Sequence, residues 1–454
     1  MYKNRNNYGG IILSEKKTVK YDDSSVKHVK NGEAIRLRPT MYIGSIGTAG
    51  VQHLLREVLD NSLDEFEGGF GKEIIVSVSE LGNYLEVIDY GRGIPHKSVE
   101  TLFTKNHSST KFVSDGAYNT SSGLNGIGLK AVNALSLKTE VSSYRDGIKA
   151  ITKFSKGDVS ESTKRYRMKE PRADGTTVKF YPDATVLGDF EYNYKDYYDM
   201  LENISYISPG LTIKFTYVTK DSAIKTKKFF SKNGIKDYIK TLEKNPMLKK
   251  AKYFEADSIV KNKKNIDCNV RVQVSFTYGE SDGLNIKSFV NRVRTINGGT
   301  HEDYFLQSLT TFIRNYIQKN GAKFSNSNIA ISSSDIQDGL TAVILLFHSE
   351  PEFDGQTKHE INNKDISEFM REATKKALNE WSEAKGINEL DLVCKQIIRF
   401  AKARINANNQ KVKIKKKTSG LSLNGIAKYS KCRVLDPDRS ELWITEGKMS
   451  NCPL

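Results

Sequence analysis

Glu57 and Asn61 stand one helical turn apart in EVLDNSLD, a spacing that sets a carboxylate and an amide on the same face of a helix. Asn61 also falls a whole number of turns beyond Leu54, so the pair lies on or beside an apolar stripe. An unpaired amide or carboxylate buried there would lose roughly 1–3 kcal/mol or more, so both need partners, whether a ligand or nearby backbone. Asp60 and Asp64, on the adjoining face, are expected to be solvated. Asp89 closes the run Val87-Ile88-Asp89 and leads into Tyr90-Gly91-Arg92-Gly93-Ile94-Pro95. Its glycines free the backbone to turn tightly and to approach a flat ligand closely, although Gly-Arg-Gly turns also occur without a ligand. A carboxylate at such a strand end can accept a hydrogen bond from an exocyclic amine. The segment Gly123-Leu124-Asn125-Gly126-Ile127-Gly128-Leu129-Lys130 sets glycines before a helix N-terminus, where backbone N–H groups favour phosphate. It meets the GxGxxA pattern of dinucleotide-binding turns, but no strand precedes it, its approach is serine-rich, and no Walker A sequence is present. A phosphate site here would be of another kind.

These groups need elements to hold them. Val51, Leu54, Leu55, Val58, Leu59, Leu63 and Phe66 recur at helical spacing and predict a helix over 51–66. Two β-branched runs, 74–78 and 84–88, flank Gly82-Asn83 and predict a hairpin. A further helix is expected over 129–135, with strands near 148–154 and 177–180. Lysine density rises after about residue 220 with no glycine- or proline-rich linker, and a soft boundary is placed near 235. An apolar strand over 342–347, a loop to about Asn363 and a helix bearing Ile366, Phe369, Met370, Ala373, Ala377 and Trp381 predict a second α/β unit. The run Lys411-Val412-Lys413-Ile414-Lys415-Lys416-Lys417 reads as a solvated link or a DNA-facing stretch.

The 454 residues are enough for two or three domains, and 70 basic against 54 acidic residues give a net charge of +16, which favours an anionic partner such as nucleic acid. Mean hydropathy is −0.52, and no apolar run approaches the roughly 20 residues that a bilayer demands. No membrane span and no secretory signal are expected. Cys268, Cys394, Cys432 and Cys452 are far apart and lack metal-ligand spacing, so they read as reduced thiols in a cytoplasm, and a zinc site is not expected.

In this order the three elements resemble the Bergerat (GHKL) ATPases, the group shared by gyrase, the mismatch-repair MutL proteins, Hsp90 and histidine kinases. The likeness narrows to the gyrase B-like ATPase subunits of type II DNA topoisomerases through RPTMYIGS from Arg38, EVLDNSLD, DYGRGIP, GLNGIGLKAVNALS from Gly123, GTTV at Gly175 with YPD at Tyr181, GGTHE at Gly298 and QTK at Gln356. It covers about residues 28 to 447. The resemblance implies a mixed α/β (α+β) chain: a two-layer Bergerat GHKL α/β sandwich, then a ribosomal-protein-S5-like α/β transducer domain. The implied domains are an N-terminal arm with the GHKL ATPase domain (1–235), the transducer (236–413), and a linker with the start of an incomplete Toprim domain (414–454).

The resemblance also implies roles. Glu57 would be the general base for the attacking water, and Asn61 would hold Mg²⁺ beside ATP. Asp89 would accept from the adenine amino group with Thr176 beside it, Gly93 and Ile94 lying against the base. Lys111 and the loop from Tyr118 through Gly123, Leu124, Asn125, Gly126 and Ile127 to Gly128 would close over the phosphates. Lys358, supported by Gln356, would reach from the second domain to the γ-phosphate. Glu446 in ELWITEG would be a Toprim-like metal ligand, but Lys448 replaces the aspartate expected there, so this polypeptide alone is not expected to cut DNA. Tyr90 stands where the family usually has asparagine, and Asn125 where gyrase usually has histidine. Implied partners are double-stranded DNA, a second copy joined through residues 1–25 with Tyr2 and Tyr8, and another topoisomerase subunit carrying the cleavage tyrosine and the rest of Toprim. Arg292, Arg294 and the lysines from 411 to 417 are expected to line the DNA path. The expected location is the cytoplasm of a bacterial or phage-infected cell. The competing readings are a MutL-like or Hsp90-like ATPase, which GGTHE, QTK and the Toprim-like end disfavour, and a catalytically silent DNA-binding fragment.

Overall fold

The β-branched runs beside Gly82-Asn83 pair as an antiparallel hairpin, β1 (Glu73–Ser79) with β2 (Tyr84–Asp89). Asn83 takes the positive φ of 46° that the turn requires. The computed structural model describes residues 31–105, 126–169, 172–280, 283–324, 329–355, 358–383 and 389–419. Its chain divides into two units, Met1–Ser205 with Leu211–Phe230, and Tyr206–Gly210 with Ser231–Leu454.

In the first unit the hairpin is the middle of an eight-stranded sheet that also contains β3 (Ser136–Arg145), β4 (Ile148–Ser155), β5 (Asp158–Arg167), β6 (Gly175–Pro182), β7 (Thr212–Val218) and β8 (Ile224–Phe230), in the order β5-β4-β3-β6-β2-β1-β7-β8. Every second residue of β2 is buried, so one face of the sheet is covered. The cover is helical. Helix Gly47–Glu67 buries Val51, Leu54, Leu55, Val58, Leu59 and Leu63, and these join Ile74, Val76, Leu85 and Val87 in one core. Each such side chain contributes roughly 1.5–3 kcal/mol when fully buried. The result is a two-layer α/β sandwich.

Asp60 and Asp64 are not solvated: they are 6% and 2% exposed. Helix Gly47–Glu67 packs on β2 and also on helix Gly128–Ala134, so the face next to its apolar stripe is covered as well. Asp60 is ion-paired to Arg56 at 2.7 Å.

The second unit is built on five strands, β9 (Lys252–Lys261), β10 (Asp267–Tyr278), β11 (Asn285–Val290), β12 (Val293–Arg294) and β13 (Leu340–His348), in the order β12-β11-β13-β10-β9. β13 is buried at every position. Ala342, Ile344 and Leu346 meet a core that includes helices Thr300–Lys319 and Ser367–Glu383, whereas Val343, Leu345 and Phe347 meet Ile207, Ile235, Tyr238 and Ile239. A strand covered on both faces explains a continuous apolar run rather than an alternating one.

Two charge readings change. Asn291 and Arg292, with φ of 46° and 67°, form the two-residue turn between β11 and β12. Arg292 folds back over Phe347, 5.4 Å from its ring centroid, and is 2% exposed, so it lines no surface path, while Arg294 is exposed. The run from Lys411 is not a link but part of helix Glu389–Ser419. Helix propagation needs no apolar stripe once the first half is anchored by Leu390, Val393, Cys394, Ile397 and Ala401. Among the described residues no helix is long and apolar enough to cross a membrane.

Candidate active site

One helix face collects much of the predicted chemistry. Glu57, Asn61 and Glu65 recur at one-turn spacing along helix Gly47–Glu67, with Ser62 beside Asn61, over about 12 Å of helix. Glu57 and Asn61 are half-buried. The Asn61 amide donates to the Glu57 carbonyl at 2.6 Å, and His53 Nε2 lies 3.2 Å from Glu57 Oε1. The Glu57 carboxylate rests against Gly128, where an added Cβ would overlap it. Gly128, the first residue of helix Gly128–Ala134, thus leaves open the space that the carboxylate fills.

Asp89, the last residue of β2, forms the other half. Its Oδ1 accepts from the backbone N–H of Gly91 and of Thr176, both at 3.0 Å, and its Oδ2 accepts from the Ser62 hydroxyl at 3.1 Å. Burial pushes the carboxyl up to about 6, and the charge of Glu65 adds to this, while the three hydrogen bonds oppose it. Gly93 has a φ of 69°, and a Cβ there would strike the carbonyl of Tyr144. Ser143 donates to the Ile94 carbonyl at 2.7 Å. The Arg92 guanidinium and backbone N–H both bind the Glu65 carboxylate, at 3.0–3.1 Å, which ties the Gly-rich turn to the helix. Four segments distant in sequence therefore meet: the helix, DYGRGIP, β3 and the start of β6.

Spacing alone missed Ser62, Glu65, Ser143 and Lys130. The first two continue the polar side of the helix by one turn and are legible in that sense; Ser143 is brought in by a strand partner. Lys130 is 4% exposed, donates to the carbonyl of Gly126, and is pulled down to about 8 by burial.

The remaining predicted residues fall elsewhere. Lys111, Tyr118, Gly123, Leu124, Asn125, Gln356 and Glu446 lie outside the described residues, as do Tyr2, Tyr8 and the Toprim-like end. Lys358 belongs to the second unit. There it sits at the tip of a hairpin in which Asn362 donates to the Glu352 carbonyl and Asp354 to the Glu360 carbonyl, each at 2.9 Å. Gly355 and Lys358 both take positive φ at this tip, 74° and 57°. The GGTHE motif holds the hairpin. Thr300 donates to the Ile361 carbonyl at 3.1 Å, Asn297 to that of His359 at 3.0 Å, and a Cβ on Gly299 would overlap the Ile361 carbonyl. His301 is buried beside Thr295, 3.2 Å from its hydroxyl, and burial lowers it to about 3, so it stays neutral.

A mixed sheet covered on one face by helices, with a strand-end carboxylate bound by a β6 amide and a helix carboxylate facing a glycine-opened helix, is the GHKL class of α/β domain; the second unit has the transducer architecture. Residues 47–186 match the family model described as "Histidine kinase-, DNA gyrase B-, and HSP90-like ATPase", and residues 234–413 match "DNA gyrase B". The chain belongs to the DNA gyrase B family. It is 34% identical over 445 residues to DNA gyrase B of Metamycoplasma hominis, covering 94% of this chain and 66% of that protein. DNA gyrase B of Thermotoga maritima is 33% identical over 438 residues, covering 94% and 67%. The chain thus spans about two thirds of the length of these relatives. Among solved structures, the 43K ATPase domain of Thermus thermophilus gyrase B superposes with a TM-score of 0.66 at 27% identity, covering 84% of this chain and 98% of that one.

Proposed function

We propose that this chain binds and hydrolyses ATP as the ATP-gated dimerisation module of a type II DNA topoisomerase, with double-stranded DNA as the cargo of strand passage. The observation that carries this reading is the Glu57 carboxylate seated against Gly128, with Asn61 one turn away. A half-buried carboxylate beside a glycine-opened helix is suited to orient and deprotonate a water that attacks a phosphoryl group held by that glycine segment. Asp89, bound by two backbone N–H groups and Ser62, presents its carboxylate to the adenine amino group, and Gly93 lets the base approach. Magnesium fits the donor set here, since Asn61 offers an amide oxygen next to a carboxylate and hard cations take oxygen ligands. When bound it would neutralise phosphate charge. Lys358, on its own hairpin, is the charge that meets the γ-phosphate, with Gln356 beside it. Lys111 and the segment 118–128 complete the phosphate enclosure, and residues 1–25 form the arm exchanged with a second copy. The DNA gyrase B match over the second unit favours this reading over a MutL-like or Hsp90-like ATPase. A second topoisomerase subunit supplies the cleavage tyrosine, and the complex works in a bacterial or phage-infected cytoplasm.

The test is steady-state ATP hydrolysis by the full chain and by Glu57→Ala, with oligomeric state measured with and without a non-hydrolysable ATP analogue. Expected are a rate loss of roughly a hundredfold or more in the variant and analogue-driven dimers in both proteins. A folded Glu57→Ala protein that turns over ATP at the parental rate would sink the assignment.

A further inference from the structure

The base of the Lys358 hairpin holds a buried polar cluster that none of the motifs above uses. β10 and β13 run antiparallel with Val270 opposite His348, so Cys268, Val270 and His348 share one face of the sheet. Cys268 Sγ, a His348 ring nitrogen and an Asp365 carboxylate oxygen all lie within 4.8 Å of one another. Such a trio invites a metal reading, and hydrogen bonding argues against it. The Glu350 backbone N–H donates to His348 Nδ1 at 2.9 Å, and a backbone amide can only donate. The neutral ring therefore carries its proton on Nε2, which points at Asp365 Oδ2, 3.1 Å away. A metal on Nε2 would need that proton gone while Nδ1 is already an acceptor, which a neutral imidazole cannot supply.

Both ring nitrogens instead staple chain to chain. Nδ1 holds the limb leaving β13, and Nε2–H holds the limb entering helix Ser367–Glu383. Asn363, 1% exposed, closes the same clamp: its Oδ1 accepts from the Glu352 N–H at 2.6 Å, and its amide donates to Asp365 Oδ1 at 3.0 Å and to the Glu350 carbonyl at 3.3 Å. The clamp spans the two limbs, and Lys358 rides on the tip between them.

We propose that His348, Asn363 and Asp365 are positioning residues for Lys358, cross-linking the hairpin base so that the lysine at the tip is presented in one geometry. This rests on the role given to Lys358 under the proposed function. A mobile point charge stabilises a transition state only where its stem is fixed, and a small misplacement can reduce a rate by orders of magnitude.

A double-mutant cycle on the full chain tests it. Asp365→Ala removes the acceptor of Nε2–H, Asp365→Asn retains one, and each is made alone and with Lys358→Ala. Expected are a fall in kcat of roughly ten- to a hundredfold in Asp365→Ala with KM little changed, and recovery of most of the rate in Asp365→Asn. In the Lys358→Ala background Asp365→Ala should have no further effect, because both act through one group. Should Asp365→Ala not fold, Asn363→Ser, which removes the clamp's other link between the limbs, takes its place. A slow Lys358→Ala with a normal Asp365→Ala, or additive losses in the double variant, overturns the clamp. A Lys358→Ala protein at the parental rate overturns the role of Lys358 itself.

Discussion

Asp89 ties stability and pH to the proposed recognition of adenine. Its carboxyl is raised from 3.8 to about 6, chiefly by burial. An acid whose folded pKa lies above its unfolded value holds its proton more tightly in the folded state. The folded state is therefore favoured below pH 3.8, and this advantage disappears as pH rises towards 6. Above that, the ionised group costs about 3 kcal/mol of folding stability. Asp89→Asn keeps an oxygen for the Gly91 and Thr176 amides and removes the buried charge. The expected outcome is a higher melting temperature than the parent at pH 8, with the difference gone at pH 4. Nucleotide binding should change in the opposite sense: the parent loses affinity as pH falls through about 6 and the acceptor protonates, while Asp89→Asn binds weakly at every pH. Calorimetric titration from pH 5 to 8 would show this, and parallel profiles for the two proteins would remove Asp89 from the adenine site. Strand-end position and the glycines after it make Asp89 legible in the sequence. Ser62 and the Thr176 amide, which hold it, come from a helix face and a distant strand that no local pattern joins to it.

At the scale of elements, legibility follows apolar periodicity. Helix Gly47–Glu67, the β1–β2 hairpin and the all-buried β13 are visible in the sequence because their apolar residues recur with the period of the structure, or without a break where both faces are covered. β5 is not visible, because almost all of its residues are exposed and charged or polar, and its place at the sheet edge is set by β4. The lysine run beyond Ala407 looks like a link because its sequence carries no apolar stripe, although helix Glu389–Ser419 continues through it. GGTHE is recognisable as a motif, but its work is visible only in the fold, where Gly299 lets Ile361 approach the start of helix Thr300–Lys319. Gly299 has a φ of 132°, so Gly299→Ala meets both an unfavourable backbone conformation and the Ile361 carbonyl. A loss of roughly 1–3 kcal/mol is expected. If the hairpin presents Lys358, the variant should also lose ATP turnover while its affinity for a non-hydrolysable analogue is kept, since Asp89 and Glu57 belong to the other unit. Unfolding curves with a rate and binding measurement would separate these effects, and unchanged turnover in a measurably destabilised protein would detach the motif from catalysis.

For the whole molecule, the net charge of +16 is an argument about partners, and the fold decides which charges can take part. The division between the units also depends on folding: Tyr206–Gly210, carried at the end of helix Tyr194–Ile207, packs with the second unit, where Tyr206 stacks on Tyr238 at 4.8 Å. The crossing contains Pro209-Gly210, but such a pair equally marks an ordinary helix-to-strand turn, here between helix Tyr194–Ile207 and β7, so composition could offer only a soft boundary. Charge counting has the same blindness. Arg292 and Arg294 look equivalent in the sequence, yet Arg294 is exposed and Arg292 lies over Phe347 in the core. If DNA passes along this surface, each phosphate contact adds to the salt dependence of binding through counterion release. Arg294→Ala should then weaken duplex DNA binding whatever the sequence and reduce the slope of log K against log salt by about 1. Arg292→Ala should leave that slope unchanged and instead lose about 2 kcal/mol, lowering the melting temperature by several degrees. Binding measured across a several-fold range of salt, alongside unfolding curves, distinguishes the two. A slope unaffected by Arg294→Ala would take this face off the DNA path, and a slope reduced by Arg292→Ala in a fully stable protein would contradict its burial.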